Sequence, residues 1–175
     1  MPSGVAPHKR IDHDPGRETR FELCELAASG SDWLDVSRLE IERRGPSYTV
    51  TTLTELRAAH PEWELFFITG ADQAMKLRDW REPSEVLRLA QVAVAERGEH
   101  SRRDVRAAVA GIQGSERLSF FPMPSIDVSS SEVRIRVAAG RPYRYLVPER
   151  VADRIEEAGL YREDGGRRMA AETSG

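Results

Sequence analysis

Apolar positions along the chain alternate between short continuous runs and spaced stripes, the pattern of strands alternating with helices. Leu65-Phe66-Phe67-Ile68-Thr69 is a run with no polar alternation, and such a run reads as a strand covered on both faces of a parallel sheet. Gln91 to Ala95 and Leu118 to Met123 are two further short strands, and Trp33 to Ile41 is a fourth, carried by Trp33, Val36 and Ile41 without clean alternation. Between them lie helical stripes. Asp14-Pro15 places a capping carboxylate and a first-turn proline ahead of Phe21, Leu23, Cys24, Leu26, Ala27 and Ala28, and Gly30 ends that helix. Ser47-Tyr48-Thr49 opens a helix bearing Val50, Leu53 and Leu56, closed by His60-Pro61. Ala74 to Trp80 is a short helix, Ser84 caps the next, and Arg102 to Ile112 is helical. The helix from Ser130 stops at Gly140, and Pro148 begins the last, with Val151, Ile155 and Ala158 inward.

This alternation implies an α/β fold with a parallel sheet and right-handed crossovers. Residues 1–13 read as a loop broken by Pro2, Gly4 and Pro7. Residues from 163 onward lack periodicity and are expected to be a disordered tail behind a single domain spanning 1–162. A length of 175 residues suffices for one domain with a real core.

Charge changes the picture by exclusion. The net charge is −3, and the pI is near 5.9, against the basic surface that holds a nucleic-acid polymer. Cys24 is the single cysteine, which rules out an internal disulfide; its place beside Phe21 and Ala28 predicts a small buried hydrophobe. No apolar run approaches the ~20 residues of a membrane span, and residues 1–10 have no apolar signal core. A cytoplasmic location with no membrane partner is expected.

The candidate chemistry gathers at turn-to-helix junctions. Ser129-Ser130-Ser131 ends a strand-like run and starts a helix with Arg134 one turn in. Ser129 or Ser130 can cap that helix, and the remaining N–H groups, hydroxyls and guanidinium suit a phosphate chain; an ordinary capped helix satisfies the same residues. Ser47-Tyr48-Thr49 and Gly70-Ala71-Asp72 are two more donor-rich junctions at expected strand ends. Asp72 suits either a helix cap or a ligand hydroxyl, and Trp80 either a core lid or a stack on a flat ring. His8-Lys9-Arg10 is either a solvated basic loop or a phosphate contact.

Taken in order, Pro7-His8-Lys9, Gly45-Pro46-Ser47-Tyr48-Thr49, Phe67 to Asp72, Trp80, Val128 to Arg134, Tyr145-Leu146-Val147-Pro148 and Gly159-Leu160-Tyr161 resemble the bacterial nicotinate-nucleotide adenylyltransferases. The likeness runs from about residue 2 to 162. Val128, Ser131 and Val133 are conservative departures from that family's Ile-Ser-Ser-Thr-x-Ile-Arg signature, and Ser131 keeps the hydroxyl. The resemblance implies a Rossmann-like nucleotidyltransferase fold and transfer of the adenylyl group of ATP to nicotinate mononucleotide, with Mg2+ carried by the ATP phosphates. By position, Ser129, Ser130, Ser131 and Arg134 would hold the β- and γ-phosphates, with His8 and Lys9 nearby. Arg134 and Lys9 would be the cations serving the transfer. Gly70 and Asp72 would bind the nucleotide sugar region. Trp80 would stack on the pyridine ring, and N–H groups near Thr49 and Arg81, with Ser47 and Tyr48 beside them, would receive the nicotinate carboxylate.

One departure outweighs the matches. The family opens with a strand running into Gly-x-Phe-x-Pro-x-His-x-Gly-His, whereas His8, His13, His60 and His100 are this chain's histidines and none stands in such a motif. The first strand and histidine helix are thus expected to be missing. That strand is central in such sheets, so its loss would open a hydrophobic slot and leave weak activity at most. A start assigned too far downstream is the favoured explanation. The competing readings are a pantetheine-phosphate adenylyltransferase or cytidylyltransferase, and a non-catalytic nucleotide-binding module. A homo-oligomer is compatible with the sequence.

Overall fold

The computed structural model describes residues 1–5, 14–96, 100–124 and 126–162. His8, Lys9, Ser125 and the expected tail lie outside the described residues. In chain order come α1 (Arg17–Ala28), α2 (Leu39–Glu42), α3 (Thr49–Ala59), β1 (Phe66–Gly70), α4 (Ala71–Ala74), α5 (Pro83–Leu89), β2 (Gln91–Glu96), α6 (Arg102–Val109), β3 (Ser119–Pro122), α7 (Ser130–Ala138) and α8 (Glu149–Glu157). Single 3-10 turns occupy Leu77–Asp79, Ser115–Arg117 and Arg144–Leu146. The backbone divides into two compact units: Ser47–Ile126, and the described parts of Met1–Pro46 with Asp127–Gly175.

In the Ser47–Ile126 unit the three strands form a parallel sheet in the order β1-β2-β3. Its register sets Phe67 beside Val92 and Val94 beside Phe120. β2 is central, and Val92, Ala93, Val94 and Ala95 are all buried, which is why its sequence carries no alternation. Val50 and Leu53 of α3, Ala71 and Ala74 of α4, Val86 and Leu87 of α5, and Val105 and Val109 of α6 close one core with Val92 and Val94. Each valine or leucine among them stabilises the fold by about 1.5–3 kcal/mol on burial.

β1 departs from the expectation that it is covered on both faces. Phe67 packs into the core, but Phe66 and Ile68 on the alternate face are 54% and 67% exposed. Among the described residues β1 pairs with β2 alone, and the helices of this unit cover only the Phe67 side.

Three helix boundaries also move. The expected helix from Ala74 to Trp80 is instead α4 followed by the 3-10 turn. α5 begins at Pro83, whose fixed φ suits the first helical position, so Ser84 lies inside the first turn and Glu82 is the residue before it. α6 stops at Val109, before Gly111 at φ +86, and starts from a capping box: Asp104 N–H donates to Ser101 Oγ at 3.3 Å, and Ser101 N–H donates to Asp104 Oδ2 at 2.9 Å.

In the other unit Val133 and Val137 of α7 pack with Tyr143 and with Val151, Ala152 and Ile155 of α8, while Leu23 and Leu26 of α1 close the cluster. Ala152 rather than the expected Ala158 faces inward. Arg154 ties α8 to Glu22 of α1 at 2.8 Å. α1 starts at Arg17 rather than Pro15 because Gly16 adopts φ +91. Asp14 Oδ1 accepts from Gly16 N–H and from Arg20 Nε, both at 3.0 Å, and so braces the turn ahead of the helix. Cys24 is exposed, contrary to expectation, since Phe21 is the buried residue of α1.

No strand forms over 33–41. Trp33 is 81% exposed, while Ile41 is buried from the short helix α2, where Ser37 Oγ accepts from Leu39 N–H at 3.3 Å. Two polar turn formers, Asp35 and Ser37, interrupt the apolar positions and favour the helical turn. Val5 instead bridges Pro46 in parallel. Gly4 lies so close to the Glu40 carbonyl that an added Cβ would sit 2.2 Å from its oxygen. Arg20 holds this loop by donating to the carbonyls of Ser3 at 2.6 Å and Gly4 at 3.1 Å.

Candidate functional site

The candidate residues form two sets, one in each unit. In the Ser47–Ile126 unit Ser47 is buried just before α3, and Tyr48 is that helix's N-cap with extended backbone. Tyr48 makes no side-chain cap bond, and its carbonyl accepts from Thr52 N–H at 3.2 Å. A tyrosine hydroxyl sits too far from its own backbone to reach a helix's first N–H groups. Thr49 is the first helical residue.

Gly70 ends β1 at the carboxyl end of the sheet and precedes α4 directly. Asp72 lies within the first turn of α4, not at its cap; it is exposed, and its Oδ2 accepts from Gln73 Nε2 at 3.2 Å. Trp80 follows the 3-10 turn and is half-buried. Its ring meets Phe67 of β1 edge-on, with centroids 5.6 Å apart and planes at 90°. Trp80 is therefore fixed by the core while part of it stays open. The Arg81 guanidinium lies 5.0 Å over the Tyr48 ring, and its Nε is 3.4 Å from Glu82 Oε1. Glu82 has φ +51, a left-handed conformation that costs a non-glycine residue energy, and Pro83 follows at once. Chemically, this set offers a pinned indole, a second aromatic ring, a cation and a helix start whose cap side chain leaves the first N–H groups alone. A flat anionic ring matches those groups.

The second set is local. Ser129 is the N-cap of α7, its Oγ accepting from Glu132 N–H at 3.1 Å. Ser130 and Ser131 stand exposed in the first turn. Arg134 Nη2 donates to Ser131 Oγ at 3.1 Å, so the cation and that hydroxyl lie on one side of the helix, three residues apart. The carboxylate in this turn, Glu132, is bound to Arg136 at 2.7 Å and keeps that guanidinium more firmly protonated. Hydroxyl, guanidinium and helix start together suit a phosphate. A cleft of about 580 Å³ between Tyr143, Tyr145, Arg141 and Arg144 contains none of the candidate residues. Among the described residues, no group of three or more His, Cys, Asp or Glu could hold a metal ion, and no helix is long and apolar enough to cross a membrane.

The structure thus brings Tyr48 to Arg81 and Ser131 to Arg134, and it sets Trp80 on β1. The Tyr48–Arg81 stack and the left-handed Glu82 escaped the sequence reading. The Glu82-Pro83 step is the one local signal, since ordinary helical backbone is disfavoured for a residue before proline.

Residues 1–136 match the family described as cytidylyltransferase-like. A probable nicotinate-nucleotide adenylyltransferase of Desulfitobacterium hafniense (strain Y51) is 39% identical over 172 residues, covering 93% of this chain and 79% of that protein. Proteins of the same description from Tropheryma whipplei (strain Twist) and Mycobacterium avium (strain 104) are 37% and 35% identical, covering 93% and 99% of this chain and 82% of each relative. Among solved structures, Plasmodium falciparum nicotinic acid mononucleotide adenylyltransferase complexed with APC aligns with a TM-score of 0.60 at 15% identity, over 84% of this chain and 76% of that one. The same enzyme complexed with NaAD aligns with a TM-score of 0.61 at 16% identity, over 90% and 78%. These two structures share the fold, a Rossmann-like nucleotidyltransferase.

Proposed function

Because the chain belongs to the cytidylyltransferase-like family and, within it, to the nicotinate-nucleotide adenylyltransferases, we propose that it joins ATP to nicotinate mononucleotide, giving deamido-NAD and pyrophosphate, a step of NAD biosynthesis. An oxygen of the mononucleotide phosphate attacks the α-phosphorus of ATP. The bond from that phosphorus to the bridging oxygen breaks in line, and pyrophosphate leaves with the electron pair. No covalent enzyme intermediate is needed, so the protein's work is positioning and neutralisation of charge. Mg2+ enters with the triphosphate as part of the substrate.

The arrangement at α7 supports the triphosphate end. Arg134 and the Ser130 and Ser131 hydroxyls would receive the β- and γ-phosphates, while Ser129 acts through the cap that keeps the helix start in shape. His8 and Lys9 would add positive charge there, and Gly70 with Asp72 would meet the nucleotide sugar. At the other end Trp80 would stack on the pyridine ring, and N–H groups near Thr49 and Arg81, with Ser47 and Tyr48 beside them, would receive its carboxylate. The observation that carries this pyridine reading is the half-open indole of Trp80, fixed on Phe67 in the unit where Tyr48 and Arg81 meet. Residues 1–162 would serve as the nucleotidyltransferase domain, in the cytoplasm.

A second reading rests on the histidines. His8, His13, His60 and His100 stand apart from any Gly-x-Phe-x-Pro-x-His-x-Gly-His motif, and the reading they favour is nucleotide binding without transfer. Pyrophosphate release from ATP and nicotinate mononucleotide, measured beside calorimetry with deamido-NAD, separates the readings. Binding with turnover supports the transferase, and binding without turnover supports the module. Absence of both binding and turnover refutes the function.

A further inference from the structure

Arg81 is the cation of the pyridine set, and its side chain has a use beyond its backbone N–H. The guanidinium is parked on the Tyr48 ring, 5.0 Å from the centroid, at the start of α3. Its Nε faces Glu82 Oε1 at 3.4 Å, while its two terminal nitrogens have no protein partner among the described residues. The side chain is more than half exposed, so nothing in the core needs it there. The left-handed turn at Glu82, locked by Pro83, fixes where the chain leaves Arg81.

We propose that the Arg81 guanidinium, held over the Tyr48 ring, makes this site prefer a pyridine carboxylate to the neutral carboxamide. The proposal rests on the reading above that the pyridine ring occupies this end of the site. A planar fork of N–H donors matches two carboxylate oxygens and pairs opposite charges. A carboxamide presents one oxygen and one NH2 group, so its donors would face the guanidinium's donors and one pair of contacts is lost. Backbone N–H groups can favour the acid as well, but they carry no net charge. The ion pair with Glu82 occupies Nε only and leaves the outer edge of the fork available. The Tyr48 ring restrains the guanidinium through its face, which uses none of the N–H donors.

The test is calorimetric titration of the full chain with nicotinate mononucleotide and, separately, with nicotinamide mononucleotide. The wild type is expected to bind the acid more tightly. Arg81→Ala should weaken the acid by roughly tenfold, as loss of one charge-assisted contact does, and leave the amide unchanged. Arg81→Lys, which keeps charge without the fork, should fall between. Tyr48→Phe should retain the preference because it retains the ring, and Glu82→Gly should retain or widen it. An equal loss for both nucleotides in Arg81→Ala, or an unchanged preference, overturns the role of Arg81 while leaving the pyridine site standing. Equal wild-type affinity for acid and amide also overturns it. Binding of neither mononucleotide by the wild type overturns the site itself and this role with it.

Discussion

The serine set and the pyridine set differ in how they are built. Ser129, Ser130, Ser131 and Arg134 fall within six consecutive residues, and one cap with one side-chain bond fixes them. Tyr48, Phe67, Trp80 and Arg81 come from three separate segments, joined only because α3, β1 and the turn after α4 pack on one core. The first set depends on a helix start, and the second on a sheet. Damage to the core should therefore disable pyridine recognition, whereas damage to α7 should stay local.

The largest expected effect tests that dependence. Leu87 of α5 is wholly buried in the core beneath the sheet. Leu87→Ala should cost about 2–5 kcal/mol by removing buried methyl groups and leaving a cavity. Thermal unfolding should show a lower midpoint, and nicotinate mononucleotide binding should weaken with it. Next in size is Arg134→Ala, expected to weaken ATP roughly tenfold through loss of a charge-assisted phosphate contact while nicotinate mononucleotide binds as before. Equal losses for both ligands would break the contrast between the sets. Ser129→Ala follows, at about 1 kcal/mol for a lost N-cap. Its effect on ATP should be smaller than that of Arg134→Ala, and circular dichroism should show slight loss of helix.

The same contrast explains what could be read from the sequence. The serine set was legible because capping, helix start and one-turn spacing are all local, and β2 was legible because burial on both faces leaves an unbroken apolar run. Phe66 and Ile68 look the same in sequence as the residues of β2, yet they are exposed, since composition does not say which face of a strand has neighbours. Cys24 misled for a related reason: the apolar stripe of α1 is broader than the face that packs, and Phe21 alone is buried. Trp33 to Ile41 carried β-favouring residues but no period, and the polar turn formers between them prevailed. The Tyr48–Arg81 stack joins residues thirty-three positions apart through packing, so no spacing rule could reveal it.

The smallest effect concerns acid, and it separates local from packed stabilisation in a different way. Asp104 is held below the ordinary aspartate value, first by the Ser101 hydroxyl and then by the Ser101 backbone N–H, within the capping box of α6. A carboxyl whose pKa is lowered on folding binds its proton more readily in the unfolded chain. Its contribution is therefore present above the unfolded value and is lost as pH falls through the folded one. Thermal midpoints measured from neutral pH downward should show wild type above Asp104→Asn, with the gap closing toward the acid end. The Leu87→Ala gap involves no proton and should persist across the same range. If the Asp104→Asn gap stayed constant with pH, the carboxylate would not be what holds the start of α6, and the box would owe its stability to the Ser101 hydroxyl alone.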